Sequence, residues 1–422
     1  MIGIPIEETY EYFSTTRNRL PAAFVALSGS APELGDLFAS IIKAADQERY
    51  RLAALYHDRI KAFAKPFPLS APFKIFMAAS RLTTVMQYGS KNLAKAFESL
   101  GHIVVLSIEE NEMEQLHDSV HFKRLFEFEP DIVVQVNKSS ILEGGLPESI
   151  FNVVWWQDPM PELLEGKQFK NRDRDITFSA IQQLDPLLEN CGVSKIQRQG
   201  FCVDTDIFFD DQNATRENKI VFVGHSYIDH IDENNASALL ALQDIKAEFE
   251  QGKSLTPDLL RKIAVIRDLP FEYVFWKILH YVVRDISVEW ICEISPIPVE
   301  IYGRNWEHNS NVRRFFKGEV EHGEDLAKIY QTSRYALVAH PFEINSQRLA
   351  EVGASGAIPI TYDCRHSSHL PHWDLELCFY KTKKDIFNIL RAQEGQATPA
   401  IGHYYSYRNF AERIIQNVSS KL

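Results

Sequence analysis

Two glutamates eight positions apart, Glu343 and Glu351, lie in the segment RYALVAHPFEINSQRLAEVGASGAIPITYD. The first follows an apolar run that reads as a strand, and the second falls within the next helical pattern. Between them Asn345 and Ser346 are residue types that cap helix N-termini, so a helix is expected to begin there. Free N–H groups and the helix dipole at such a point attract an anion, and Gln347 and Arg348 stand in the same first turn. A carboxylate one or two turns further in, Glu351, is placed to accept hydrogen bonds from vicinal ribose hydroxyls. In this reading it has no structural partner, so its removal is expected to leave fold stability almost unchanged. Gly353, Gly356 and Ala357 keep the neighbouring surface small.

Other chemistry-bearing residues stand at expected strand ends. Asp158 ends FNVVWWQDP and is a candidate general base for an acceptor hydroxyl, against a turn-forming aspartate before proline. His225 follows Gly224 at the end of KIVFVGHS. Gly303 and Arg304 close VEIYGRNW, where an arginine can contact phosphate. Trp155 and Trp156 read as core more than as sugar platforms. Asp204-Thr205-Asp206 and Asp173-Arg174-Asp175 have the Asp-x-Asp spacing of a divalent-metal site. The first falls at an expected domain junction, and no metal site is assigned. No GxGxxG follows a strand, which argues against a dinucleotide enzyme.

The elements that must position these residues alternate. Apolar strands at 74–80, 103–108, 131–137, 151–159 and 176–180 are separated by helical patterns. After a turn-rich stretch the alternation restarts at Lys219. Continuous apolar, β-branched strands between helices indicate parallel sheets covered on both faces. The expected division is a helical N-terminal extension over 1–70, a Rossmann-like domain over 71–210, and a second over 211–422. A helical insertion, 233–293, is expected to carry no readable chemistry. AFAKPFPLSAP (62–72) reads as a linker.

Composition narrows the function classes. The 422 residues carry a net charge of −12, which disfavours nucleic acid as a partner. Five cysteines without CxxC spacing signal neither a disulfide framework nor a zinc site. No signal peptide and no transmembrane segment are read, and the cytoplasm is the expected location.

The Glu-x7-Glu pair followed by a small-residue run resembles the donor-site signature of GT-B glycosyltransferases. RLAEVGASGA, with its arginine three residues before the second glutamate, is similar to the spore-maturation CgeB-like family. WWQDP, KIVFVGHS, VEIYGRNW and YYSYRNFAERII resemble further pieces of that family in order. The resemblance implies a GT-B fold, two Rossmann-like domains facing across a cleft. It also implies metal-independent transfer of a sugar from a nucleotide-sugar to a glycan, protein or small-molecule acceptor, without a further cofactor. Asp158 and Glu343 would be catalytic. Glu351, Arg348, Asn345, Ser346, Gln347, Arg304, Gly303 and His225 would bind the donor. The loop GHSYIDHIDENN lacks the Arg and Lys with which many retaining relatives hold the diphosphate, leaving that task to the helix start at 344–348 and Arg304. The other reading is a non-catalytic sugar- or nucleotide-binding module with a degenerate GT-B site.

Overall fold

The structure is a computed structural model that describes residues 31–63, 70–81, 84–111, 116–368 and 377–422. The expected N-terminal extension is therefore described from residue 31 onward, and the linker at 62–72 lies partly outside the described residues. Ala31–Lys61 is one long helix, in line with the helical reading. It forms a unit of its own with the segment 116–127. Tyr50 meets His117 edge to face at 5.7 Å, and Tyr56 meets Phe126 at the same separation.

The second unit holds two parallel six-stranded sheets. The first contains β1 (Lys74–Ala78), β2 (Ile103–Ser107), β3 (Ile132–Val136), β4 (Phe151–Trp156), β5 (Asp175–Ser179) and β6 (Ile196–Arg198), in the order β2-β1-β3-β4-β5-β6. The second contains β7 (Glu217–Val223), β8 (Val299–Tyr302), β9 (Phe316–Gly318), β10 (Ser333–Val338), β11 (Ile358–Tyr362) and β12 (Cys378–Tyr380), in the order β12-β11-β10-β7-β8-β9. Every pairing within them is parallel. This is the two-sheet Rossmann-like architecture expected from the restarted alternation. Strands β3, β4 and β11 are buried along their whole length, which is why they read as mostly apolar runs, interrupted only by Gln135, Asn152 and Thr361. The short edge strands β9 and β12 carry no such run and escape the sequence reading.

In the second sheet the order reverses between β7 and β10. At such a switch point two neighbouring crossovers leave on opposite faces and open a crevice beyond the strand ends. Three segments bound that crevice: the loop after β7, helix α1 (Leu279–Ile294) and helix α2 (Gln347–Ala354). Helix α1 ends the insertion, follows a short π-turn at Val274–Ile278, and is buried along most of its length.

The last helix, α3 (Tyr407–Ser419), departs from the expected division of the chain. Residues 211–422 do not all belong with the second sheet. Phe410, Ala411, Ile414 and Val418 form one buried stripe of α3 within the core of the first sheet. The Phe410 ring lies 4.9 Å from that of Trp155 and 5.1 Å from that of Phe178, both edge to face. The apolar stripe, buried only against those strands, draws the chain back. Trp155 and Trp156 are themselves about 1% exposed, as core residues. Trp155 also donates its indole N–H to Gln199 O.

Truncating Phe410 to alanine should leave a cavity under both aromatic rings and lower stability by about 3–5 kcal/mol, read from urea unfolding. A loss below about 1 kcal/mol would show that α3 contributes little to the first sheet's core.

Candidate functional site

Glycine builds the floor of the crevice. Gly224, at the end of β7, has φ 154°, and a Cβ there would lie 2.5 Å from Arg348 Nη2. Gly303, at the end of β8, has φ 127°, and a Cβ there would run into the carbonyl of Gly224. Both positions need the missing side chain so that two strand ends and one arginine converge. Trp306 seals the underside by donating its indole N–H to Gly224 O at 2.7 Å.

A cavity of about 410 Å³ opens above this floor. From the second sheet's side it is lined by Gly224, His225, Tyr227, Arg284, His322, Tyr330, Gln347, Arg348 and Glu351. From the first sheet's side it is lined by Tyr88, Trp155 and Gln157, and by Asp204 and Phe208 of the connection. Of the candidates read from the sequence, the structure brings together His225, Gln347, Arg348 and Glu351 here. It places Asp158, Glu343, Asn345, Ser346, Gly303 and Arg304 outside the lining.

Helix α2 begins where the sequence reading puts it. The Ser346 hydroxyl accepts from Leu349 N at 3.3 Å. Not all the expected N–H groups stay open to an anion, however. Asn345 N donates to Glu343 Oε1 at 2.7 Å, and Ser346 N donates to Ile344 O at 2.7 Å. The next two residues, Gln347 and Arg348, line the cavity. The Asn345 side chain is engaged too, its Oδ1 accepting from the Tyr405 hydroxyl at 2.7 Å.

Positive charge inside the cavity comes from two arginines. Arg348 has its guanidinium 5.1 Å from the Phe222 ring centre, and Tyr330 lines the cavity beside it. Arg284 comes from α1, within the insertion in which the sequence shows no readable chemistry, and it lines the cavity. Its guanidinium lies 3.8 Å over the Tyr227 ring and donates to His225 O at 3.3 Å. Burial pushes Arg284 down to about 10, so it remains charged at neutral pH. Among the described residues no carboxylate is within 4.0 Å of either guanidinium. Neighbouring polar atoms lack partners as well: Arg284 Nε, His230 Nδ1 and His280 Nε2 are buried without a hydrogen bond. Burial lowers His280 to about 3 and lowers His230 and His340, with the nearby Arg284 adding to each shift. Neutral imidazoles thus surround two permanent cations.

Asp285, the next residue on α1, fixes the loop after β7. It accepts from the Ser226 hydroxyl and from Tyr227 N at 3.1 Å. Burial raises it to about 7, against those hydrogen bonds.

Glu351 is not free of structural partners, contrary to the sequence expectation. Its Oε1 lies 2.7 Å from His322 Nε2 and accepts from Gln347 Nε2 at 2.8 Å. His322 sits on the loop before Gly323 and carried no motif. The Glu351 hydrogen bond is the largest cause of its raised pKa.

The remaining candidates have other partners. Arg304 donates its backbone N–H to His225 Nδ1 at 2.9 Å, and its exposed side chain lies 3.8 Å from Glu319. Asp158 accepts from Asn137 Nδ2 at 2.9 Å. Asn137 Oδ1 in turn takes the N–H groups of Gln157 and Asp158, closing the turn after β4. Desolvation raises Asp158 while the Asn137 bond opposes it. Asp204 caps its own turn through Asp206 N, and Asp175 pairs with Arg172 at 2.6 Å.

Glu343 is about 2% exposed, and its Oε1 accepts from Ser368 Oγ and Asn345 N, both at 2.7 Å. Burial lifts it to about 7, the two donors pulling the other way. The folded protein therefore holds this proton more tightly than the unfolded chain. The stability it contributes is present at low pH and is lost as pH rises through about 7. Glu343→Gln keeps the acceptor and removes the titration. Its melting temperature relative to the parent should move in the variant's favour between pH 5 and pH 8. A difference independent of pH would show that Glu343 titrates as it does unfolded.

Among solved structures the chain resembles a sucrose-phosphate synthase from Thermosynechococcus elongatus, at 10% identity and TM-score 0.47, over 82% of this chain and 98% of that one. It also resembles HepE of Anabaena, solved with UDP and glucose, at 11% identity and TM-score 0.46, over 82% and 100%. A third is the glycosyltransferase SnogD from Streptomyces nogalater, at 11% identity and TM-score 0.36, over 82% and 99%. No curated protein matches the sequence. Residues 284–415, which begin at Arg284 and contain Glu343, Arg348 and Glu351, match a model of the glycosyl transferase-like family.

Proposed function

We propose that this chain is a glycosyltransferase that takes a sugar from a nucleotide-sugar donor, and that the cavity at the β7–β10 switch point holds the nucleotide diphosphate. The observation that carries the reading is the pair Arg284 and Arg348, two cations facing one cavity and, among the described residues, neither within ion-pair distance of a carboxylate. Burying a guanidinium is costly unless an anion meets it, and a diphosphate supplies that anion. Glu351, in the second turn of the helix that presents Arg348, stands where a ribose diol would meet it. The family match over 284–415 supports the transferase reading, and HepE, solved with UDP and glucose, is the kind of ligand precedent it suggests.

In this mechanism the negative charge that develops on the leaving diphosphate is met by Arg284, Arg348 and the first-turn N–H groups of α2. No metal is needed for that step, because the groups are already oriented before the bond breaks. Asp204 and Asp206 take no part in it. The acceptor would enter from the first sheet's side, and its class remains a glycan, a protein or a small molecule. Asp158 would need to be reached by the acceptor at the mouth of the cavity to serve as base.

A binding module without catalysis is the second reading. Its support is the placement of both catalytic candidates, since Glu343 is buried with its Oε1 engaged and Asp158 lies beside the cavity rather than in it. Hydrolysis of UDP-, GDP- or ADP-sugars by the purified protein, followed by nucleotide release, separates the two.

Arg284→Met should weaken binding of the preferred nucleoside diphosphate by about 10- to 100-fold while changing nucleoside affinity little, as measured by calorimetry. Equal loss for both ligands would remove Arg284 from the diphosphate site. Turnover should also persist in EDTA; loss with chelator and recovery with manganese would return Asp204 and Asp206 to the mechanism.

A further inference from the structure

We infer that His322 is a positioning residue: it locks the Glu351 carboxylate so that one oxygen, Oε2, is presented to the hydroxyls of the ligand. The inference rests on the nucleotide reading above and concerns a residue that belongs to no motif in the sequence. Both hydrogen bonds to the carboxylate converge on Oε1, from His322 Nε2 at 2.7 Å and Gln347 Nε2 at 2.8 Å. A carboxylate oxygen has two lone-pair sites, so two donors fill Oε1 and direct any further donor to Oε2. The Glu351 side chain is 6% exposed and lines the cavity.

His322 is itself held. Its ring centre lies 5.4 Å from that of Phe208 and 5.8 Å from that of Tyr88. The following Gly323 has φ 136°, which turns the chain from this loop into the next helix. The lock therefore draws on three parts of the chain: a helix flanking the first sheet, the connection between the sheets, and the loop before Gly323. Asp204, across the cavity, adds a second negative charge on the His322 side. A flexible glutamate would have to give up its rotamers when a ligand binds, whereas one fixed in advance does not.

The test separates an effect through Glu351 from a loss of fold. The ligands are the best-binding of UDP, GDP and ADP and its 2′,3′-dideoxy form, which lacks the hydroxyls Glu351 would meet. Calorimetry with His322→Ala should show about tenfold weaker binding of the ribonucleotide and less than about twofold change for the dideoxy form. His322→Gln, which keeps an N–H at a similar reach, should recover most of the loss. Equal weakening for both ligands, or none for either, would overturn the positioning role while leaving the nucleotide site standing. If the parent protein binds none of the three nucleotides, the nucleotide reading itself fails and takes this inference with it.

Discussion

The close approach of Gly224, Gly303 and Arg348 is the constraint on which the site depends. The ends of β7 and β8 can come this close, beside the switch point, only because neither carries a Cβ, and Arg348 occupies the space that a side chain at Gly224 would fill. That contact sets where α2 starts relative to β7, and so where Glu351 and its partners fall. A larger residue at either glycine would displace a strand end or the arginine, since the neighbours it meets include backbone and a guanidinium backed by Phe222.

Around this floor the ionisable groups differ in how they meet burial. Glu343 and Asp285 are buried and hydrogen-bonded, and burial favours their protonated forms. Each holds a loop, Asp285 the one after β7 and Glu343 the one before α2. Arg284 and Arg348 are the reverse case, charged and, among the described residues, not within ion-pair distance of a carboxylate. The difference follows from the permanence of the guanidinium charge: a carboxyl group adapts to burial by keeping its proton, and an arginine cannot. The cavity therefore keeps two fixed positive charges from Arg284 and Arg348, while Glu343 and Asp285 hold the loops outside its lining.

The two sheets share the work of enclosing that cavity. Helix α3 carries the chain back to the first sheet, and Tyr407 at its start lines the cavity. Gln183, from the first half, donates to Phe342 O and Ser367 O of the second. Residues that a linear reading assigns to one half are thus fixed by the other.

The elements that depend on near neighbours are legible in the amino-acid sequence. The alternation of buried strands and helices, the restart at Lys219, the capped start of α2 and the placement of Glu351 in its second turn all follow from local pattern and capping chemistry. The short edge strands β9 and β12 did not, because half-buried three-residue strands leave no periodicity to read. Tertiary structure alone decided which charges share a cavity. Arg284 lies in an apolar helix and His322 in a polar loop, and neither position carries a local signal; they meet Arg348 and Glu351 through contacts made across long stretches of chain. Burial decided the role of Glu343 in the same way. Its spacing from Glu351 is visible in the sequence, but whether its carboxylate faces a ligand or a serine depends on how the loop at 340–346 folds onto Ser368.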